Sequence, residues 1–189
     1  SINSSNPSSG RAPGYDDDGT GCANNLETLK RLIAEPSFVP YRPIEFQFYA
    51  GEERGLLGSK KVVERYVSDK VQVYAMLQSD MTGYSTSNPV YAVVNDFTNR
   101  ELTTVLKTIA KTYTSLPVIE ITCGYGCSDH ASFHNAGFPA ASHFETRFND
   151  INKKIHTSGD VFSVISLQHA LEFVKSTIGF AIELSTFKV

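Results

Sequence analysis

Three groups of acids and one histidine supply the residue types that metal-assisted hydrolysis uses. Asp16-Asp17-Asp18 lies in a glycine-flanked stretch, Glu52-Glu53 follows an apolar run, Asp80 closes another, and His156 stands in Ile155-His156-Thr157. Neighbouring carboxylates repel, so a cluster beside an apolar strand needs a compensating charge. A divalent cation provides one, because carboxylate oxygens and imidazole nitrogen suit Zn²⁺. Two adjacent glutamates can also divide the work, one holding metal while the next serves as general base toward water. Each group has an ordinary alternative. Aspartate-rich turns are common, acids favour a helix's first turn, a lone aspartate can simply stop a strand, and a lone histidine is more often a surface residue.

The elements that must position these residues follow from periodicity. Ser1–Gly14 is rich in Ser, Asn, Pro and Gly without a period and reads as a surface loop. From Gly21 the pattern turns helical, with Leu26, Leu29, Leu32 and Ile33 on one face and Pro36 beyond its end. Ile44, Phe46, Phe48 and Ala50 alternate with polar or larger partners as a strand that runs into Gly51-Glu52-Glu53, followed by a helix from about Gly55 to Tyr66. Val71–Leu77, Val90–Val94, Val118–Thr122 and Pro139–Glu145 read as further strands. Thr98-Asn99-Arg100-Glu101 has the form of a capping box before a helix, a short helix spans Ala131 to Asn135, and Ser166 can cap a closing helix over Leu167–Leu184. Strands alternating with helices predict an α/β, three-layer sandwich around a mixed, largely parallel sheet, with ligands held beyond the strands' carboxyl ends. The acidic clusters fall where strands stop.

Composition narrows the function classes. With 41% hydrophobic and 11% aromatic residues, the 189-residue chain can bury one core, and we expect a single catalytic domain over 1–189. A net charge of −3 lacks the basic footprint of nucleic-acid binding, and no apolar run is long enough to span a bilayer. There is no Gly-x-Ser-x-Gly elbow, and Cys22 has no motif-matched histidine partner. Cys123 and Cys127 flank Gly-Tyr-Gly, a spacing that can close a disulfide or stay reduced; with His130 and His134 the pair also has the ligand types of a structural zinc site.

The motifs, taken together and in order, carry a resemblance. Ala12-Pro13-Gly14-Tyr15-Asp16-Asp17-Asp18-Gly19, Tyr49-Ala50-Gly51-Glu52-Glu53-Arg54-Gly55-Leu56-Leu57-Gly58-Ser59 and Gln78-Ser79-Asp80-Met81-Thr82-Gly83-Tyr84 open the series. Cys123-Gly124-Tyr125-Gly126-Cys127-Ser128-Asp129-His130-Ala131-Ser132, Gly137-Phe138-Pro139-Ala140-Ala141, Phe144-Glu145 and Ile155-His156-Thr157 continue it. Over about Ser1 to Glu183 the chain closely resembles the co-catalytic di-zinc aminopeptidases, typified by secreted microbial leucyl aminopeptidases. The resemblance implies that Asp17 bridges two zinc ions, with Asp18 following through a strained peptide link. It implies Glu52 as general base, Glu53 and His156 completing one zinc, Asp80 serving the other, and Tyr125 stabilising the oxyanion. Asp129 would support these from behind, and Cys123–Cys127 would be a disulfide, leaving Cys22 free in a protein of an oxidising, extracellular compartment. Its substrates would be peptides with a free N-terminus.

Two departures matter. Members of that family carry a His-x-Asp just before the serine corresponding to Ser1; its histidine completes the Asp80 zinc. This chain therefore holds full protein ligands for one zinc of two, and we expect a fragment that lacks its own N-terminal segment. A single-zinc or non-catalytic binding relative is the alternative. Tyr15 stands where the family has a small alanine and crowds the aspartate loop. Met81, Phe144, Phe148, Ile151 and Ile155 are candidates for an apolar substrate pocket, made more polar by Ser142 and His143.

Overall fold

A computed structural model describes residues 1–186. Its best-packed strand is β2 (Tyr91–Val94), whose side chains are 0–1% exposed. Successive side chains of a strand face opposite ways, and both faces of this one are covered. Tyr91 and Val93 pack with Leu102, Leu106 and Ile109 of one helix and Phe173 and Phe180 of another, while Ala92 and Val94 meet Ile121. The other strands are β1 (Met76–Ser79), β3 (Val118–Ile121) and β4 (Ala140–Phe144). They form one sheet in the order β1-β4-β2-β3. β1 runs parallel to β4 and β2 parallel to β3, whereas β2 and β4 are antiparallel, with Val93 opposite His143.

Among the described residues five α-helices cover this mixed, largely parallel sheet. α1 (Gly19–Ile33), α3 (Arg100–Tyr113) and α5 (Leu167–Thr186) pack together on one side; α2 (Leu57–Ser68) and α4 (His130–Asn135) form the other layer around Val63, Phe133 and Ala140. Asp18 caps α1 by accepting the Gly21 N–H at 3.0 Å, and Ser166 caps α5 through the His169 N–H at 3.3 Å. The cap of α3 lies one residue beyond the expected box: Asn99 accepts the Leu102 N–H at 2.8 Å, while the Thr98 hydroxyl bonds back to the Val94 carbonyl. Asparagine is as good an N-cap as threonine, so the nearer amide takes the role.

The strand expected over Ile44–Ala50 is a correction. The segment is extended, yet it joins no ladder among the described residues, and of Val71–Leu77 only Met76 and Leu77 belong to β1. Alternation specifies extended backbone, but a strand also needs a neighbour. β1 is an edge strand, paired on one side only. Phe46 and Phe48 from one stretch and Val71 and Val73 from the other line an open cavity of about 1180 Å³ that reaches Asp17, Glu52 and Asp80.

Candidate metal centre and catalytic site

Turns place the acids. Gly51 adopts φ +70°, a left-handed conformation that costs glycine no Cβ clash, and turns the chain into a short 3-10 segment, Glu52–Arg54. His156 has φ +59°, a region that non-glycine residues enter sparingly and histidine more readily than most. Its carbonyl accepts the Ser4 N–H at 2.9 Å. Asp17 lies in the turn before α1, and the Asp17–Asp18 peptide is cis. The Asp160 carboxylate holds this turn by its backbone, accepting the N–H of Asp16 at 3.0 Å and of Asp17 at 3.1 Å.

The result is a convergence. His156 Nε2 lies 3.0 Å from Asp17 Oδ2 and 2.9 Å from Glu53 Oε1. Both oxygens are buried without a donor in hydrogen-bonding geometry, and one ligand atom from each of the three residues falls within 4.8 Å of the others. Two orphaned carboxylate oxygens facing an imidazole nitrogen are the donor set that zinc takes, so these residues fit the metal.

The neighbouring side is acid against acid. Asp80, directly after β1, accepts a hydrogen bond from the Ser128 hydroxyl. Burial, reinforced by Asp17, pushes Asp80 up to about 7, and burial with Asp80 and Glu53 pushes Glu52 up to about 8. Asp129, 4% exposed, has its carboxyl raised by burial, and Ser59 lowers it in part. A divalent cation would invert these shifts by favouring the charged forms. Tyr125 is 58% exposed in the cysteine loop, its phenol raised by burial and by the charges of Glu52, Asp80 and Glu53. The loop is closed by a Cys123–Cys127 disulfide, which consumes both sulfurs and removes the cysteine–histidine zinc alternative. Cys22 is free, His134 is exposed, and His130 is fully buried.

The five candidate pocket residues are spread out. Met81 is 5% exposed and follows Asp80 with φ +62°; Ile155 is half-buried beside His156. The Phe144 and Phe148 rings lie 6.0 Å apart in a cluster with Cys123, and Ile151 lines a separate cavity with Tyr84 and Arg147. Ser142 and His143 do not make a pocket polar, because both are in the core. Tyr91 and Ser79 flank the His143 ring nitrogens, and burial pushes its imidazole down to about 3. Tyr15, 45% exposed, packs edge-on against Phe162 rather than crowding the turn from within. Sequence reasoning missed Asn152 and Asp160, whose only signal was polarity in loops, and gave Asp16 no role of its own within the aspartate cluster.

The sequence profile of peptidase family M28 matches residues 5–180. The chain belongs to peptidase family M28. It is 42% identical over 190 residues to a probable leucine aminopeptidase of Arthroderma otae, covering 98% of this chain and 51% of that protein. The LapA aminopeptidase of Legionella pneumophila superposes with a TM-score of 0.92 at 40% identity, over 96% of this chain and 49% of that one. BSAP, a zinc aminopeptidase from Bacillus subtilis, gives 0.76 at 25% identity, over 94% and 44%. The chain thus spans about half the length of the relatives it matches. Among the described residues no helix is long and apolar enough to cross a membrane.

Proposed function

We propose that this M28 chain is the zinc-bearing catalytic part of an aminopeptidase that removes the N-terminal residue of peptides. The observation that carries the reading is the convergence of Asp17, Glu53 and His156 beside Glu52. Asp17, Glu53 and His156 would hold one zinc, and Asp17 with Asp80 would contribute to a second. When bound, zinc lowers the pKa of water toward neutrality and polarises a carbonyl. Glu52 takes the proton of the attacking water and returns it to the departing amine. The Tyr125 hydroxyl donates to the carbonyl oxygen as negative charge develops there. The acidic surroundings hold the substrate's free ammonium, which restricts cleavage to the first residue.

A preference for large apolar first residues is part of the proposal. It is supported by the relatives' names and by the Phe144–Phe148 pair packed beside the cysteine loop. Asp80 has no basic partner within ion-pair distance among the described residues, and the open cavity between 42–49 and 71–80 leads to it. Both support a preceding segment of the full protein as the partner that supplies the remaining ligand. The disulfide supports a secreted protein. The test is zinc content of the purified protein, followed by hydrolysis of leucyl and glutamyl chromogenic amides. Zinc uptake with faster leucyl cleavage is expected. Protein that binds zinc but hydrolyses neither amide, with or without its upstream segment, would favour the binding relative.

A further inference from the structure

The cysteine loop is gripped by three consecutive residues of a neighbouring turn. β2 ends at Val94, and Asn95, Asp96 and Phe97 after it each meet a successive part of the segment that leaves β3. The Asn95 N–H donates to the Ile121 carbonyl at 3.0 Å, and Asn95 Oδ1 accepts the Thr122 hydroxyl at 2.8 Å. Asp96 Oδ1 accepts the Cys123 N–H at 3.0 Å, and its Oδ2 accepts the Gly124 N–H at 2.7 Å. Phe97 holds φ +53°, a region bulky residues seldom enter, and its Cδ1 lies 3.9 Å from where a Cβ on Gly126 would stand.

Two successive N–H groups aimed at one point make a small anion-binding concavity, and a carboxylate fills it with one oxygen for each donor. Hydrogen bonds to an ionised acceptor are also the stronger kind. Further along, the same loop is held by the Ser128 hydroxyl on Asp80, and the Cys123–Cys127 disulfide ties its two ends together. Between these anchors Tyr125 is 58% exposed, so core packing does not fix its ring. The backbone on either side has to do so. The charges that raise its phenol after burial, those of Glu52, Asp80 and Glu53, are the acids of the proposed catalytic site.

We propose that Asp96 is a positioning residue: its carboxylate clamps the Cys123 and Gly124 amides and so sets the cysteine loop in the conformation that presents Tyr125 to the acidic cluster. The assignment rests on the reading of Tyr125 as the donor to the developing oxyanion.

The test uses the zinc-loaded protein in its full chain and compares wild type, Asp96→Ala, Asp96→Asn, Tyr125→Phe and the Asp96→Ala/Tyr125→Phe double variant. Loss of a charged acceptor should speed amide hydrogen exchange at both Cys123 and Gly124 by about tenfold or more in Asp96→Ala. Asparagine has one acceptor oxygen and should release only one of the two amides. On a leucyl chromogenic amide, Asp96→Ala should lower kcat by about 10–100-fold with KM little changed, as a misplaced catalytic group does. Tyr125→Phe should lower kcat by roughly 10²–10³-fold. Adding Asp96→Ala to it should cost nothing further, because no hydroxyl is left to aim. Unchanged exchange at both amides, a wild-type kcat in Asp96→Ala, or a full additional loss in the double variant would overturn the assignment. If the alanine variant does not fold, Asp96→Asn, alone and with Tyr125→Phe, decides by the same readings. A Tyr125→Phe enzyme as fast as wild type overturns the reading beneath the assignment and the aiming role with it, while faster exchange in Asp96→Ala would still show the clamp on the loop.

Discussion

The two sides of the acidic cluster are built on different principles. On one, His156 stands between Asp17 and Glu53 at 3.0 and 2.9 Å, so the chain supplies opposing ligand types at one point. On the other, Asp80 and Glu52 face each other and their acidic neighbours, with the Ser128 hydroxyl on Asp80 and no cation among the described residues. The first side brings carboxylate and imidazole ligand types together. The second gathers carboxyls whose mutual repulsion and burial favour protonation until a cation is supplied. Folding can preorganise one and can only prepare the other.

The largest expected effect isolates the base from the metal. Glu52→Gln should cut turnover by roughly 10²–10⁴-fold while leaving zinc affinity near wild type, because the role we propose for Glu52 lies in the water chemistry and not on the histidine side. A parallel fall in zinc affinity would merge the two sides. Next, His156→Ala should weaken zinc binding by about 100-fold or more, beyond the upper end for residues that act from behind a ligand, and Asp80→Ala should cost far less in the same titration. Equal losses would erase the comparison.

A pH measurement probes the floor under Asp80. His143 sits against Ser79, one residue before Asp80, and burial holds its imidazole near about 3. An unfolded histidine titrates near about 6.5, so between these values the unfolded chain binds more protons and stability falls as pH drops. At pH 5 the penalty is about 2 kcal/mol relative to neutral pH. Chemical denaturation at pH 7 and 5 should show wild type losing about that much more than His143→Gln. Equal losses would place the ring in water. The smallest effect is Ser128→Ala, which removes the hydroxyl hydrogen bond to Asp80 and should cost about 1 kcal/mol in thermal unfolding.

Those residues also show what a sequence reveals. The strands around Val93, Ile119 and Ala141 were legible because runs of β-branched and small apolar residues mark buried strands wherever they occur. Asp17, Glu53 and His156 were legible through their motifs, and the structure draws them together. His143 was placed toward a substrate pocket because it stands where the resembling enzymes have a more apolar residue. Its real surroundings, Tyr91 and Ser79, lie 52 and 64 residues away. Glu145 reads as a strand end until the N–H groups of Gly83 and Tyr84, 62 and 61 residues away, are seen to donate to it. Alternation over Ile44–Ala50 gave the right backbone but not the ladder, since pairing belongs to two segments at once.

The open edge of the sheet bears on how the chain behaves in the tube. Phe48 and Tyr74 are each about half exposed, at 50% and 48%, beside extended backbone that joins no ladder. Such an edge is a template for another chain to add to. The exposed apolar side chains on this unpaired backbone make it a place for copies of the chain to associate, and a lysine at position 48 should slow that association by setting charge against charge.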